Sequence, residues 1–205
     1  LPFSATLERN RTPQMRLDEK IDAYERLLKK WQNTINLVGP STLSEAKKRH
    51  FEDSLQLLKH IPVAAKTLYD LGSGAGFPGL VLAMAKPDLD VHLIESDARK
   101  CQFIKTVSRE TETPVTVHNQ RIESANLPPP DVLTSRALAN LSTLFKLTQK
   151  WWENNSKILL VFPKGENFQQ ELGEAQKIYR FEHKVIPSQT DRAASIILVQ
   201  NISLL

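Results

Sequence analysis

The sequence predicts an α/β fold in which a mostly parallel, seven-stranded sheet is flanked by helices and preceded by a helical extension. From residue 67 onward, short apolar runs alternate with amphipathic segments, which is typical of a parallel sheet covered on both faces. A glycine-rich turn follows the first apolar run, and two further apolar runs close the chain. We therefore expect an N-terminal helical extension over residues 1–66 and a Rossmann-like domain over residues 67–205.

Helical periodicity organises the extension. Apolar residues recur at helical spacing over 17–33, which predicts an amphipathic helix. Residues 36–40 break this pattern. Thr42 and Glu45 then fit a capping box that opens a second helical stretch over 43–60, which Pro62 ends.

The domain follows with regular alternation. Strands are expected near 67–71, 91–95, 115–118, 131–135 and 157–162, with helices near 78–86, 98–111, 140–150 and 166–179. Two closing strands, 181–187 and 193–201, are expected around a short loop, as a pair at the end of the sheet. The double tryptophan at 151–152 is expected to be a packed helix end.

Composition excludes several classes of protein. The chain has 205 residues, a single cysteine (Cys101) and no apolar run of eighteen residues, so we expect no disulfide, no cysteine-built zinc site and no membrane span. Residues 1–5 lack the layout of a signal peptide. We therefore expect a cytoplasmic protein that binds no metal and acts as a monomer.

Positive charge is concentrated in the extension. Residues 1–66 carry twelve Lys/Arg against eight Asp/Glu, whereas the remainder carries fifteen of each. Three basic clusters account for the excess: Arg9, Arg11 and Arg16; Lys29 and Lys30; and Lys47, Lys48 and Arg49. Such clusters usually lie on a solvated helix face, but beside a cofactor domain they also suit a polyanion such as RNA.

The glycine-rich turn indicates a cofactor site. The ten residues from Asp70 to Gly79 hold four of the seven glycines and lie between a predicted strand and a predicted helix. This geometry presents backbone N–H groups and a helix N-terminus to a nucleotide-like ligand. Glycine suits the turn because it adopts positive φ and leaves room for the ligand.

Two cofactor classes fit the glycine spacing. Residues 74–79 match the Gly-x-Gly-x-x-Gly dinucleotide fingerprint, whereas residues 70–76 match the first motif of S-adenosylmethionine (SAM) methyltransferases. A diphosphate needs free N–H donors in the first helical turn, where Pro78 has none, and Asp70 would repel it. SAM carries a positive sulfonium and an amino group, which a carboxylate attracts. Charge and donor count therefore favour SAM, with S-adenosylhomocysteine as the product.

Suitable side chains follow the next two strands. Glu95 ends the second strand, nineteen residues after Gly76, where a carboxylate accepts hydrogen bonds from both ribose hydroxyls. Ile122 and Glu123, just past the third strand, suit the face and the amino edge of an adenine ring. The cofactor-binding residues expected from these motifs are Asp70, Gly72, Gly74, Gly76, Glu95, Ile122 and Glu123.

The end of the fourth strand bears on the target atom. Enzymes that methylate exocyclic amines commonly carry Asn/Asp-Pro-Pro-Tyr/Phe there, and cytosine C5 enzymes need a cysteine, but this strand ends in Ser135-Arg136-Ala137. The N7 atom of guanine attacks a sulfonium methyl with its own lone pair and has no proton to lose, so alignment matters more than a base. The sequence permits an N7 target and predicts no catalytic base.

These motifs resemble the RsmG/GidB family of bacterial 16S ribosomal RNA methyltransferases, over most of the chain. The pairing of Arg-His-x-x-Asp-Ser-Leu with Gly-x-Gly-Ala-Gly-Phe-Pro-Gly is highly specific. The matching segments are 36–38, 49–50, 53–55, 70–79, 95–96, 99–100, 121–123, 135–137 and 164–165. Small departures occur at Ser73, Glu95 and Pro163, where threonine, aspartate and leucine are more frequent.

The resemblance implies a class I methyltransferase that transfers a methyl group from SAM to N7 of a guanosine, G527, in the 530 loop of 16S ribosomal RNA, free or in the small subunit. It adds Phe77 and Arg136 to the residues expected to contact SAM. Provisional substrate contacts are Arg49, His50, Arg136 and Lys164. Arg49, His50 and Asp53 equally fit a hydrogen-bond cluster that docks the N-terminal helices.

Two other functions stay open on the sequence. A nicotinamide-dependent oxidoreductase would use the 74–79 spacing but must explain Pro78. An RNA-binding protein of methyltransferase fold without activity is the second, although Asp70, Glu95 and Arg136 are all present, which argues against such decay.

Overall fold

Seven strands form one sheet in the computed structural model, which describes residues 15–153, 155 and 157–205. The strands are β1 (Thr67–Leu71), β2 (Asp90–Glu95), β3 (Thr116–Asn119), β4 (Val132–Thr134), β5 (Leu159–Lys164), β6 (Tyr179–Pro187) and β7 (Ser195–Leu204). Their spatial order is β3-β2-β1-β4-β5-β7-β6. The first five pair in parallel, and β7 pairs antiparallel with both β5 and β6. From β1 the chain first adds β2 and β3 on one side and then β4 and β5 on the other. Ligands bind at this point of reversal in sheets of this kind.

Helices cover both faces of the sheet. They are α1 (Leu17–Gln32), α2 (Pro40–Leu43), α3 (Asp53–Leu55), α4 (Gly79–Ala85), α5 (Ala98–Glu110), α6 (Leu141–Trp152) and α7 (Phe168–Gln176). A π-helical turn, Lys47–Glu52, precedes α3, and 3₁₀ turns occupy Gln56–His60 and Ile122–Ser124. None of the helices in the described part of the chain is long and apolar enough to cross a membrane.

Side chains that alternate between the two faces of the sheet contribute to two separate cores. Leu68 of β1 and Val91 of β2 belong to a buried cluster with residues of α1, α4 and α5. Tyr69 of β1 and Ile94 of β2 point the other way and belong to a second cluster with α6 and α7. Successive strand side chains point to opposite faces, so each central strand needs apolar residues throughout.

The extension packs directly on the domain. Tyr24 and Leu28 of α1 are fully buried in the same cluster as residues of α4 and α5. Lys20 is also buried, and its ammonium donates to the Glu112 carbonyl and the Thr113 hydroxyl, each at 3.3 Å. The boundary expected at residue 66 therefore does not separate two cores.

The predicted fold class is confirmed, and every predicted strand forms with bounds shifted by three residues at most. The second helical stretch differs. Gly39 caps α2 with Pro40 at its first position, and the Thr42 hydroxyl, inside the helix, donates to the Gly39 carbonyl at 2.8 Å. The capping box at Thr42 is therefore wrong, because the fixed φ of Pro40 starts the helix earlier. The expected packed helix end does form, since Trp151 and Trp152 are both buried.

Candidate active site

A large cavity of about 930 Å³ lies at the carboxyl edge of the sheet. Loops after the parallel strands form one side of it, while residues 37–56 of the extension and the β6–β7 loop, 188–194, form the other. The expected site residues on its wall are Arg49, His50, Gly72, Gly74, Phe77, Glu95, Ile122, Glu123, Arg136 and Lys164. Asp70 and Gly76 do not line it.

Three glycines of the turn after β1 adopt positive φ: Gly72 (64°), Gly74 (57°) and Gly76 (91°). A Cβ on Gly72 would lie 2.7 Å from Leu138, and one on Gly76 would lie 2.7 Å from the Tyr24 hydroxyl. A Cβ on Gly74 would meet only a carbonyl at 3.9 Å. The Tyr24 hydroxyl leaves no room for a side chain at Gly76, whereas at Gly72 the exposed Leu138 side chain would have to move aside. Gly74 keeps the cavity wall open.

The backbone donors that a diphosphate would need are already engaged. Around the start of α4, the N–H groups of Gly76, Phe77, Gly79 and Leu80 all have partners inside the protein. Pro78 has no N–H to offer. The start of α4 is therefore unsuited to a diphosphate, and the turn favours a ligand held by shape and by carboxylates.

Asp70 lies behind the turn rather than against the ligand space, which differs from the sequence-based expectation. Its side chain is fully buried under α4, where Oδ2 accepts a hydrogen bond from the Gly79 N–H at 3.0 Å and Oδ1 has no partner. Burial raises the pKa of this carboxyl to about 7, although the Gly79 N–H and Arg136 oppose the shift. Asp70 can thus act on a ligand only through its charge.

Gly76 also differs from its expected role. It faces Tyr24 of α1 and not the cavity. The reason is tertiary: the turn is sandwiched between the ligand space and the extension, so alternate residues face opposite sides.

Glu95 is held in place by backbone groups of two loops. Its Oε2 accepts from the Gly74 N–H and its Oε1 from the Asp97 N–H, each at 2.8 Å. The side chain is 8% exposed and lies on the cavity wall. Each carboxylate oxygen accepts more than one hydrogen bond, so Glu95 retains capacity for a pair of ribose hydroxyls.

Lys150 of α6 holds the part of the cavity wall that Ile122 and Glu123 form. Lys150 was not among the residues predicted from the sequence. The Lys150 ammonium donates to the carbonyls of Ile122, of Glu123 at 3.3 Å and of Ala125 at 2.7 Å. A long-range contact of this kind leaves no local sequence signal. The apolar Ile122 side chain and the acidic Glu123 are therefore presented by a turn with little freedom.

Arg136 joins the end of β4 to the extension. Its guanidinium lies 3.3 Å from Asp53 Oδ2 and donates to the Arg49 carbonyl and to His50 Nδ1, each at 3.1 Å. It also lies 5.1 Å above the Phe77 ring, a cation–π distance. The cluster therefore docks the extension on the domain, and the same residues line the cavity.

His50 is a neutral acceptor in this cluster. Burial, with help from Arg136 and Arg49, lowers its pKa to about 4. Nδ1 accepts from Arg136, so we assign the proton to Nε2, which lies 2.9 Å from the Thr42 hydroxyl. His50 therefore has no free lone pair with which to take a substrate proton.

Lys164 lies on the wall with its charge already paired. Its ammonium donates to Glu171 Oε2 at 2.7 Å and to the Ala139 carbonyl at 2.6 Å, and the side chain is 8% exposed. Lys164, a provisional substrate contact, is therefore on the wall as expected by position, but α7 places Glu171 beside its ammonium.

The β6–β7 loop completes the far wall, and no sequence motif marked it. Thr190 donates to Asp53 Oδ1 at 2.7 Å, the Gln189 N–H donates to Gln56 at 2.8 Å, and Asp191 pairs with Arg49 at 2.8 Å. Asp53 thus accepts from the loop on one oxygen and faces Arg136 with the other.

The basic clusters are partly neutralised within the described residues. Lys29 pairs with Glu25, and Lys47 with Asp22. Arg16 pairs with Asp18, whereas Arg9 and Arg11 lie outside the described residues.

The cavity has no cysteine on its wall, and Cys101 is buried, with a pKa raised by burial. No group of three or more His, Cys, Asp or Glu side chains suited to a metal occurs within residues 15–153, 155 and 157–205.

The strand order with an antiparallel seventh strand, together with a carboxylate-flanked glycine turn, defines the class of S-adenosylmethionine-dependent class I methyltransferases. Solved structures share this fold. An MtNAS mutant in complex with S-adenosylmethionine aligns with a TM-score of 0.58 at 15% identity, over 89% of this chain and 71% of that one. A SAM-dependent methyltransferase from Aquifex aeolicus aligns with a TM-score of 0.54 at 15% identity, over 80% and 98%.

This chain belongs to the GidB family, described as rRNA small subunit methyltransferase G, whose family model matches residues 17–196. A ribosomal RNA small subunit methyltransferase G from Rhodospirillum centenum is 44% identical over 185 residues, covering 90% of this chain and 84% of the relative. Another from Paramagnetospirillum magneticum is 46% identical over 186 residues, covering 90% and 89%. Membership confirms the predicted enzyme class and its cofactor, and it contradicts the oxidoreductase alternative.

The raised pKa of Asp70 predicts a pH-dependent stability. A group whose pKa rises on folding stabilises the protein below its unfolded pKa and loses that contribution as the pH rises through its folded pKa. From pH 4.5 to 7.5, the unfolding free energy of the wild type should therefore fall relative to Asp70→Asn by about 3 kcal/mol. Denaturant titrations across this range measure the difference. The exposed Asp88→Asn control should show little change, and a flat difference for Asp70→Asn would contradict the assignment.

Gly74→Ala should weaken SAM binding at least tenfold and lower stability by about 1–2 kcal/mol, because its methyl group enters the cavity and positive φ strains an alanine. Gly173→Ala, in α7 with open space around it, should leave binding unchanged and stability equal or higher. Calorimetric titration with SAM and thermal unfolding measure both effects. Equal affinity of Gly74→Ala and the wild type would show that this turn is not the binding surface.

Proposed function

We propose that this protein transfers the methyl group of SAM to N7 of a guanosine, G527, in the 530 loop of 16S ribosomal RNA. The choice of N7 rests on one observation: the contacts that the possible proton acceptors on the cavity wall already make within the protein. His50, Asp53, Glu95, Glu171 and Asp191 on that wall are each engaged by a partner within the protein, which suits a nucleophile that has no proton to lose. The exception among the described wall residues is Glu123, which is assigned to the adenine ring below.

His50 and the acidic residues illustrate this point. His50 accepts from Arg136 and is neutral, with a pKa near 4. Asp53 faces Arg136, Glu171 pairs with Lys164, and Glu95 accepts two backbone N–H groups. An exocyclic amine or a ring carbon would need proton removal by such a group. Guanine N7 needs only to be aligned with the methyl donor.

SAM supplies an electrophilic methyl group when bound, and the chain supplies the surfaces that orient it. We assign Glu95 to the ribose hydroxyls, and Ile122 and Glu123 to the adenine ring. Gly72 and Gly74 form the floor beneath the ligand. These assignments rest on the position of each residue on the cavity wall.

We assign the remaining cofactor contacts by matching charges. Arg136 is a cation on the wall and suits the cofactor's carboxylate, with Phe77 supporting its guanidinium from below. Asp70 suits the sulfonium and the amino group by attraction through the turn. The pKa of its buried carboxyl is about 7, so a nearby cation favours the ionised form.

The guanosine is proposed to enter beside Arg49, His50 and Lys164. This side of the cavity is bounded by the extension and by Thr190 of the β6–β7 loop. Polar hydrogen-bonding groups here suit the edge of a base withdrawn from its stack. The proposed partner is 16S ribosomal RNA, free or assembled in the small subunit, with the enzyme acting as a cytoplasmic monomer.

A modified substrate tests the target atom directly. In 16S RNA carrying 7-deazaguanosine at the proposed position, N7 is replaced by C–H, so methyl transfer from SAM should fall to background. Inosine at the same position keeps N7 and lacks the exocyclic amine, so it should still be methylated. Incorporation of radiolabelled methyl groups measures both. Methylation of the 7-deaza RNA with loss on the inosine RNA would identify the amine as the target instead.

A further inference from the structure

Tyr24 of α1 touches the glycine turn from the side opposite the ligand space. Its side chain is fully buried, and its hydroxyl donates a hydrogen bond to the carbonyl of Ala75. Ala75 lies between Gly74 and Gly76, both of which adopt positive φ. A residue fifty-one positions away thus bonds to the middle of the turn.

The fit between Tyr24 and the turn is close. A Cβ on Gly76 would lie 2.7 Å from the Tyr24 hydroxyl oxygen, so only glycine leaves room for that oxygen. The Tyr24 ring also stacks on Phe77, with ring centroids 5.0 Å apart and an interplanar angle of 4°. Phe51 of the extension packs edge-on against both rings.

The hydroxyl therefore acts on a segment whose conformation matters to the ligand. The Ala75 carbonyl points toward α1, and the same peptide units present Gly74 to the cavity. A buried carbonyl without a donor is costly, so loss of the hydroxyl would favour a rotated peptide at Ala75. Rotation there would change the floor on which the cofactor lies.

We infer that Tyr24 is a positioning residue for the cofactor, holding the turn at Gly74–Gly76 in its binding conformation through its hydroxyl. The N-terminal extension is then a structural part of the cofactor site, besides any contact with RNA. This inference rests on the cofactor site proposed above.

Tyr69 provides a matched control. It is also buried, and its hydroxyl donates to a backbone carbonyl, that of Pro128, at 2.8 Å. Neither Tyr69 nor Pro128 lines the cavity. Tyr69→Phe and Tyr24→Phe thus remove the same chemical group, and each leaves one carbonyl unpaired.

Calorimetric titration with SAM and with S-adenosylhomocysteine tests the inference on folded protein. Tyr24→Phe should raise both dissociation constants about tenfold. Tyr69→Phe should leave them within twofold of the wild type, with a comparable fall in melting temperature. Equal affinities for Tyr24→Phe and the wild type, or equal losses for the two variants, would overturn the positioning role. Failure of the wild type to bind either ligand would instead overturn the cofactor site itself.

A double-mutant cycle provides a second readout. Gly76→Ala should weaken SAM binding partly through its contact with the Tyr24 hydroxyl, and the positive φ of residue 76 adds strain in either background. The affinity lost on Gly76→Ala should therefore be smaller in the Tyr24→Phe background. The same loss in both backgrounds would show that the hydroxyl and the turn are uncoupled.

Discussion

The site depends on the conformation of one five-residue turn, Gly72 to Gly76, which three other parts of the chain hold. Glu95 at the end of β2 accepts the Gly74 N–H, and Tyr24 of α1 donates to the Ala75 carbonyl. Leu138, after β4, covers Gly72 so closely that a Cβ would clash. Four amides of the turn have partners within the protein: those of Gly72 and Ser73 donate to Ile94, that of Gly74 to Glu95 and that of Gly76 to Ser73. This favours recognition of the ligand by carboxylates and by shape over recognition by a row of N–H donors.

Much of the fold could be predicted because its signals are local. The glycine spacing, the alternation of apolar runs and the acid at the end of β2 each lie within a short segment, and all appear where expected. The stretch over residues 40–60 was harder. Its apolar pattern fits a continuous helix, but the chain divides it into α2, a π-helical turn, α3 and a 3₁₀ turn. That division brings Arg49, His50 and Asp53 to the cavity wall, so tertiary contacts outweigh the helical period.

Most of the residues predicted for the site line one cavity, but the contacts of their side chains could not be predicted. Asp70 fits the expected motif, yet its carboxylate lies beneath α4 because Gly79 leaves space for it there. Lys164 is a provisional substrate contact, and its ion pair with Glu171 from α7 has no signal in the sequence. Tyr24 and Lys150 were missed because each bonds to the backbone of a distant loop, and a carbonyl acceptor imposes no residue type on the sequence.

A crystal structure of the protein with S-adenosylhomocysteine tests this account most directly. The account predicts the amino-acid end of the ligand over Gly72 and Gly74 near Arg136, the ribose hydroxyls within hydrogen-bond distance of Glu95, and the adenine ring against Ile122. It also predicts an unchanged bond from Tyr24 to Ala75. Ligand density elsewhere in the cavity, or a glycine turn that abandons Glu95 and Tyr24 to donate its amides to the ligand, would contradict it.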